Sequence, residues 1–230
     1  MLVTEKLTAA YGDFQALFDI SLNLEPGETL AIIGSNGAGK STFLRSLAGL
    51  IRNPREAIRF EGEAIGDLPA NRVLERGIAL VPEGRKLFPS LSVEENLLIG
   101  AYSGRKGAWS LPRIYALFPV LEQLRKRPGT ALSGGQQQMV AIGRALMSSP
   151  RLLLCDEISL GLAPTTIKDI YAALPSIKAD GTSVILVEQD INQALSVADR
   201  FYCFLEGRVS LSGAPADASK EQIKAAYFGV

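Results

Sequence analysis

Short uninterrupted apolar runs in this chain alternate with segments whose apolar residues recur every three or four positions. The run Thr29–Ile33 carries no charge and is typical of a buried strand. The segment after it places four apolar side chains, the last being Leu50, at helical spacing and predicts an amphipathic helix over 40–50. Similar patterns predict strands at 58–62, 78–81, 151–155 and 182–187, helices at 71–76, 164–179, 191–197 and 220–227, and a hairpin over 201–211. Such alternation is typical of an α/β fold.

Two stretches depart from this alternation. Residues 2–24 alternate polar and apolar side chains up to a turn at 26–27, which predicts antiparallel strands. Residues 87–147 are mostly helical in pattern, and a capping box at Ser92 opens the first of these helices. Its large apolar side chains, including Phe88 and Leu98, are expected in a core or at an interface. We therefore predict one domain, in which a helical lobe of residues 87–147 is inserted into an α/β lobe of residues 1–86 and 148–230.

Residues 34–41 read Gly-Ser-Asn-Gly-Ala-Gly-Lys-Ser, which matches the phosphate-binding loop pattern. Its glycines let the backbone turn N–H groups inward, and the helix that follows adds the positive end of its dipole. Lys40 would place a charge among the β- and γ-phosphates, and the Ser41 hydroxyl would reach Mg²⁺. An ordinary strand-to-helix turn is the alternative, but the pattern arises by chance in roughly one such chain in a hundred.

The overall composition narrows the class of protein. The chain has 230 residues, 47% of them hydrophobic, which is enough for the core of one α/β domain. Lys+Arg and Asp+Glu balance at 24 each, so charge gives no reason to expect nucleic-acid binding, although a local basic groove stays open. No signal peptide or membrane span is evident. Cys155 and Cys203 lie in apolar runs, which favours reduced, buried thiols and a cytosolic protein.

Two adjacent carboxylates, Asp156 and Glu157, end the apolar run that begins at 151. Acids at the end of a buried strand are poorly placed unless a positive group lies nearby, and Mg²⁺ with a nucleotide would supply one. Asp156 would then hold the metal, and Glu157 would polarise the attacking water. Because the chain has no histidine, proton acceptance falls to Glu157. Two solvated strand-end acids are the alternative.

A second glycine-containing helix start lies at 132–136, Leu-Ser-Gly-Gly-Gln. The capping hydroxyl of Ser133 and the helix dipole predict another anion site. One ATP needs only one phosphate loop, so this second site needs an explanation. Tyr11, beside Gly12, could stack on a nucleotide base or be a strand-end aromatic in a small core.

Leu-Ser-Gly-Gly-Gln is the signature motif of the ABC-transporter ATPases. The other motifs follow the order that they have in that family, and the chain resembles the family over essentially its whole length. In that family the signature of one subunit covers the γ-phosphate on the phosphate loop of another. The resemblance implies base stacking by Tyr11, a Mg²⁺-touching position at Glu83, a dimer-communication loop at 159–164, and a γ-phosphate contact at Gln189. The fold implied is a P-loop NTPase of ABC type, with an antiparallel β subdomain and an inserted α-helical lobe.

Four positions depart from the common family pattern. Glu83 stands for glutamine; it keeps an oxygen for the metal but adds negative charge. Gln189 stands for histidine and cannot titrate near neutrality. Ala163 replaces the usual aspartate. Ile158 replaces the usual proline, and the sequence does not explain this replacement. The first three replacements, with the segments 82–85, 161–164, 187–189 and 225–229, resemble the ATPases of branched-chain and hydrophobic amino acid importers.

The resemblance therefore implies an ATP-hydrolysing importer subunit on the cytoplasmic, inner face of the cell membrane. Expected partners are transmembrane permease subunits, a second ABC ATPase subunit and, indirectly, a solute-binding protein, with no nucleic acid. Three alternatives stay open: a slow-hydrolysing partner subunit in a heterodimer, an importer of another small solute such as urea or an amide, and an ABC ATPase acting on DNA or ribosomes. The last usually has tandem domains or long coiled-coil insertions, for which this chain has no room.

The predicted site has three groups of residues. Glu157, Gln189 and Lys40 are the expected catalytic groups, and ATP and Mg²⁺ the expected cofactors. The metal ligands are expected to be Ser41, Glu83 and Asp156. The expected nucleotide-binding residues are Tyr11, Gly34, Ser35, Asn36, Gly37, Ala38, Gly39, Lys40, Ser41 and Thr42, with Ser133, Gly134, Gly135 and Gln136 acting on the nucleotide of the other subunit.

Overall fold

The computed structural model of the chain describes residues 1–229 and contains two β-sheets surrounded by helices. The strands are β1 Leu2–Tyr11, β2 Phe14–Leu24, β3 Thr29–Ile33, β4 Ile58–Phe60, β5 Glu63–Ala64, β6 Ile78–Val81, β7 Leu152–Asp156, β8 Ser183–Glu188, β9 Arg200–Leu205 and β10 Arg208–Gly213. The α-helices are α1 Lys40–Leu47, α2 Ala70–Arg76, α3 Val93–Ile99, α4 Leu111–Leu117, α5 Pro119–Gln123, α6 Gly134–Leu146, α7 Pro164–Ala179, α8 Ile191–Val197 and α9 Lys220–Phe228.

The larger sheet has six strands in the order β10-β9-β3-β8-β7-β6. Five of them run parallel, and only β10 pairs antiparallel, with β9. All residues of β3, β7 and β8 are buried, as expected for parallel strands covered by helices on both faces. The carboxyl ends of β3, β7 and β8 therefore meet at one edge, where ligands of open α/β sheets bind.

The smaller sheet is antiparallel, in the order β2-β1-β4-β5, and confirms the strands predicted over residues 2–24. Its inner face and helix α1 share one hydrophobic core with the larger sheet, through residues such as Leu17, Phe43 and Phe204. The Phe43 and Phe204 rings meet edge to face at 5.5 Å between centroids. This packing fixes the phosphate loop between the two sheets.

The helices between residues 93 and 146 pack on the other face of the larger sheet. Leu97, Ile114 and Val140 share a second core with Leu153 and Leu186 of the sheet. This core is continuous from the sheet into the helices. The boundaries at 86/87 and 147/148 mark a change in the hydrophobic pattern of the sequence, and the division into two lobes remains a prediction. Ile158, where a proline is usual, is 1% exposed and belongs to this core.

The structure corrects the sequence prediction in three places. Helix α1 ends at Leu47, not at residue 50, because Gly49 turns the chain with φ +69°. Leu50, expected on the buried face of that helix, is 59% exposed. Phe88 and Leu98, expected in a core or at an interface, are exposed and so do not belong to a core; an interface role for them stays a prediction. The prediction of buried, unpaired thiols is confirmed for Cys155 and Cys203.

Candidate functional site

The phosphate-loop sequence lies between β3 and α1, and its glycines are required by close backbone packing. Gly34 has φ +155°, and a Cβ there would lie 2.4 Å from the Phe204 carbonyl oxygen. Gly39 has φ +98°, and its Cβ would lie 2.7 Å from Leu17 Cδ2. At Gly34 the short contact is with backbone, which would have to move, and at Gly39 the positive φ itself would strain any other residue. The loop can therefore approach both sheets only with glycine at these two positions.

Lys40 is buried inside this loop. Its Nζ donates hydrogen bonds to the carbonyl oxygens of Gly34, at 2.7 Å, and Ser35, at 3.0 Å, and lies 3.9 Å from Glu157 Oε1. Burial lowers the pKa of Lys40, and the nearby carboxylates, Glu157 first, oppose that shift. A buried ammonium held beside the loop N–H groups is well placed to meet phosphate oxygens.

The two acids predicted at the end of β7 lie beside the phosphate loop. Asp156 Oδ1 accepts a hydrogen bond from Ser41 Oγ at 2.9 Å. Burial raises the pKa of Asp156 most, the charges of Glu157 and Glu83 raise it further, and the Ser41 hydrogen bond opposes them. Negative charge is thus concentrated around Asp156, where a cation would relieve it.

Glu157 and Gln189 are in direct contact. The Gln189 amide donates to Glu157 Oε2 at 2.7 Å, and the Glu157 N–H donates to the Val187 carbonyl at 3.0 Å. Glu157 adopts φ +48°, an unusual conformation for a non-glycine residue that these contacts hold in place. The structure therefore brings together the expected general base and the residue at the histidine position.

Two adjoining clefts are lined by several of the remaining predicted site residues, but not by Ser35 or Ala38. One, of about 270 Å³, is lined by Tyr11, Phe14, Ala16, Asn36, Gly37, Gly39, Lys40, Ser41, Thr42 and Glu157. The other, of about 540 Å³, is lined by Tyr11, Arg45, Leu50, Ile51, Leu80, Pro82, Glu83, Gly84, Lys86 and Asp156. Tyr11 is 45% exposed and borders both clefts, so it is available to a ligand and is not the small-core aromatic of the alternative reading. Ala38, by contrast, is buried under the loop.

Arg45 is a site residue that the sequence prediction missed. It is exposed, lines the larger cleft, and its Nη1 lies 3.5 Å from the Tyr11 hydroxyl. The signal was present in the sequence, because Arg45 follows Ser41 by four positions and helical residues at that spacing share a face.

The signature segment forms the start of α6. Ser133 accepts a hydrogen bond from the Gln136 N–H, and the Gln136 side chain accepts one from the Ser133 N–H at 2.9 Å, which completes a capping box. Ser133 is exposed and Gly134 partly so, whereas Gly135 packs on Thr166. Within the described chain, residues 133–136 line neither cleft.

Across residues 1–229, no group of three or more His, Cys, Asp and Glu side chains is arranged to hold a metal by itself. Ser41, Asp156 and Glu83 would hold an ion together with further oxygen ligands, from water or from a bound molecule. In the same part of the chain, no helix combines the length and apolar character that crossing a membrane needs.

Comparison with known proteins gives consistent matches. The family-wide sequence pattern described as ABC transporter matches residues 17–159. The high-affinity branched-chain amino acid transport ATP-binding protein BraG of Pseudomonas aeruginosa is 44% identical, with full coverage of both chains. The probable branched-chain amino acid transport ATP-binding protein LivF of Archaeoglobus fulgidus is 36% identical over 93% of this chain and 92% of its own.

Two solved structures that match are ATP-binding cassettes. A nucleotide-free cassette from an ABC transporter has a TM-score of 0.82 at 28% identity and covers 98% of this chain and 94% of its own. A dimeric cassette in a post-hydrolysis state, bound to ADP and phosphate, has a TM-score of 0.83 at 27% identity, covering 94% of this chain and 99% of its own.

Proposed function

Because the chain belongs to the ABC transporter family of ATPases, we propose that it is the ATP-hydrolysing subunit of an importer for branched-chain or other hydrophobic amino acids. The observation that carries this proposal is the 44% identity with BraG over the full length of both proteins. The expected fold, with its antiparallel sheet and P-loop, is the fold of the family.

ATP would lie across the two clefts, with its base on Tyr11 and its phosphates over the loop and Lys40. Ser41 and Asp156 would hold Mg²⁺ together with phosphate oxygens, and Glu83, which lines the same cleft as Asp156, would add a carboxylate. The fit is supported by the Ser41–Asp156 hydrogen bond and by the environment of Asp156, whose pKa is raised first by burial and then by the charges of Glu157 and Glu83. When bound, the ion would neutralise charge on the phosphates.

The side chains expected around the γ-phosphate would have different roles in ATP hydrolysis. Glu157 would accept a proton from the attacking water, since it is the carboxylate nearest to Lys40. Gln189 would hold Glu157 in orientation through its amide hydrogen bond. Phosphoryl transfer depends mainly on positioning and charge stabilisation, so fixed side chains of this kind are what it needs.

A second ATPase subunit would complete each site. The exposed start of α6 carries the anion-binding signature but lines neither cleft of its own chain, so its expected ligand is the nucleotide of a partner subunit. The family dimer bound to ADP and phosphate supports this arrangement. The subfamily resemblance favours a related second ATPase over a second copy of this chain.

The permease subunits would dock on an exposed apolar surface of the helical region. Its cleft of about 550 Å³ is lined by Leu91, Glu95, Leu98, Ile99, Ala101 and Tyr102. Leu98 is 49% exposed and Tyr102 91%, which is unusual for neighbouring large apolar side chains. Docking there would hold the chain on the inner face of the membrane, and only the permease would meet a solute-binding protein.

We expect Leu98→Ser with Tyr102→Ser to leave the basal ATP hydrolysis of the purified chain within twofold of wild type. With permease below saturation, stimulated hydrolysis should fall at least about thirtyfold, because interface anchors of this kind are typically worth about 2 kcal/mol or more. Phe228→Ser, which removes another exposed apolar side chain, is the matched control. Full stimulation of the double variant would exclude this surface as the docking site.

A second candidate role is a slow-hydrolysing partner subunit. Glu83 favours it, because its charge adds to the factors that raise the pKa of the metal-binding Asp156. Turnover of the isolated chain, and of dimers mixed with its partner ATPase, would separate the two roles. A chain that binds ATP but adds no hydrolysis to the mixed dimer would have the second role.

The test of the cargo is transport by purified permeases, solute-binding protein and both ATPases in vesicles. We expect leucine uptake that requires ATP and this chain. Uptake of urea or an amide instead, with no uptake of leucine, would overturn the proposed substrate class and leave the ATPase assignment intact.

Gln189 predicts the shape of the pH–rate curve. An amide does not titrate, so wild-type hydrolysis should show no limb near pH 6–7 that depends on this position. Gln189→His should introduce one, because an imidazole has a pKa of about 6.5. The measurement is kcat between pH 5.5 and 9. A wild-type limb that disappears in Gln189→Ala would contradict a non-titrating contact.

A further inference from the structure

Glu188 is a buried acid for which the proposed mechanism has no use. It is the last residue of the central strand β8, is 2% exposed, and has no salt-bridge partner among residues 1–229. Burying a carboxylate is costly unless hydrogen bonds replace the lost water. Burial also raises its pKa, against which its hydrogen bonds act. An acid retained in such a place needs a specific set of donors.

Both oxygens of Glu188 accept hydrogen bonds from Ser159 of the neighbouring loop, and the buried Tyr171 hydroxyl faces the same carboxylate. Ser159 donates its backbone N–H to Oε1 at 3.1 Å and its hydroxyl to Oε2 at 2.7 Å. Ser159 lies two residues after Glu157 and opens the loop that leads from β7 to Pro164, the first residue of α7. The carboxylate therefore holds Ser159 in this loop through two hydrogen bonds.

Three consecutive residues, 187–189 at the end of β8, thus form hydrogen bonds to the segment that contains Glu157 and Ser159. The Val187 carbonyl accepts from the Glu157 N–H, Glu188 accepts from Ser159, and Gln189 donates to the Glu157 side chain. These contacts fix both the position of Glu157 and its left-handed backbone. Loss of the middle contact would free the segment that sets the angle of the base.

We propose that Glu188 is a positioning residue, which orients Glu157 and the start of the loop at 159–164 by holding both donors of Ser159. This inference rests on the proposed ATPase function. It requires the hydrogen-bonding shape of the Glu188 side chain and not its charge. A glutamine could hold the same residue, because its oxygen accepts from the Ser159 N–H while its amide donates to the hydroxyl.

The experiment compares Glu188→Ala with Glu188→Gln. In Glu188→Ala, kcat for ATP should fall about tenfold to a hundredfold with KM within twofold, because misplaced catalytic groups lose rate and not binding. Glu188→Gln should keep kcat within threefold of wild type. A glutamine variant as slow as the alanine variant would overturn the proposal, and so would a loss of ATP affinity equal to the loss of kcat.

A second pair of variants, at Ser159, tests the same contact if Glu188→Ala folds poorly. Ser159→Ala removes only a partly exposed hydroxyl and should lower kcat about fivefold, whereas Ser159→Thr should restore it. In the Glu188→Ala background, Ser159→Ala should have no further effect, since the two residues act through one contact. Additive losses in the double variant would count against a shared role.

Amide hydrogen exchange of the segment 157–163 separates this inference from the ATPase assignment. Protection there should fall in Glu188→Ala and persist in Glu188→Gln, whether or not the chain hydrolyses ATP. Unchanged amide protection of this segment in Glu188→Ala would refute the proposal that Glu188 holds Ser159 in place. Absence of hydrolysis in the wild-type assembly would refute the ATPase function alone.

Discussion

Glu157→Gln is expected to bind ATP at least as tightly as wild type and to hydrolyse it about a hundredfold to ten-thousandfold more slowly. A positioned general base typically contributes a factor of about 10²–10⁴, and glutamine cannot accept the proton. Binding should survive because the substitution keeps the side-chain volume and a hydrogen-bond partner for Gln189. It also removes a negative charge 3.9 Å from Lys40, which leaves the ammonium freer to meet phosphate.

The measurement pairs equilibrium binding of a fluorescent ATP analogue with phosphate release under single-turnover conditions. Glu221→Gln, an exposed acid in the first turn of α9, is the control for loss of one carboxylate. Hydrolysis by Glu157→Gln within threefold of wild type would assign the base to another group. Since the chain has no histidine, that group would be another carboxylate or a water molecule and not an imidazole.

Lys40→Met is expected to weaken ATP binding about a hundredfold. Hydrogen bonds to charged groups contribute about 1.5–3 kcal/mol each, and a hundredfold corresponds to about 2.7 kcal/mol. The folded state should tolerate the change, because methionine fills a similar volume and removes the cost of burying an ammonium that is only 4% exposed. Titration calorimetry with ATP and Mg²⁺ and a thermal unfolding scan give the two quantities.

Lys224→Met, an exposed lysine on α9, is the matched control and should bind ATP as wild type does. If Lys40→Met binds ATP with unchanged affinity, the loop does not cradle the phosphates. If it loses affinity only together with a large drop in the unfolding midpoint, the role of Lys40 is structural.

The strands and the phosphate loop were predictable because their signals are local. A five-residue apolar run followed by glycines, Lys40 and Ser41 specifies a buried strand, a tight turn and a helix start without reference to the rest of the chain. The end of α1 was not predictable from apolar spacing. Leu50 continues the helical pattern, but the turn at Gly49 overrides it.

The contacts between loops could not be predicted, because they depend on the order of strands in the sheet. β7 and β8 are neighbours, so Ser159 meets Glu188 across 29 positions of sequence, and no local pattern encodes that pairing. The same reasoning applies to Gln189. Its family position implied a phosphate contact, whereas only the structure places its amide on Glu157.

The position of β3 in the sheet has a consequence for synthesis of the protein. β3 lies between β8 and β9, and the phosphate loop that follows it contacts the Phe204 carbonyl and Gly207, which come much later in the sequence. A ribosome-bound nascent chain that stops before residue 200 lacks one flank of this strand and one wall of the loop. ATP can therefore stabilise only chains that already include β9 and the turn at Gly207.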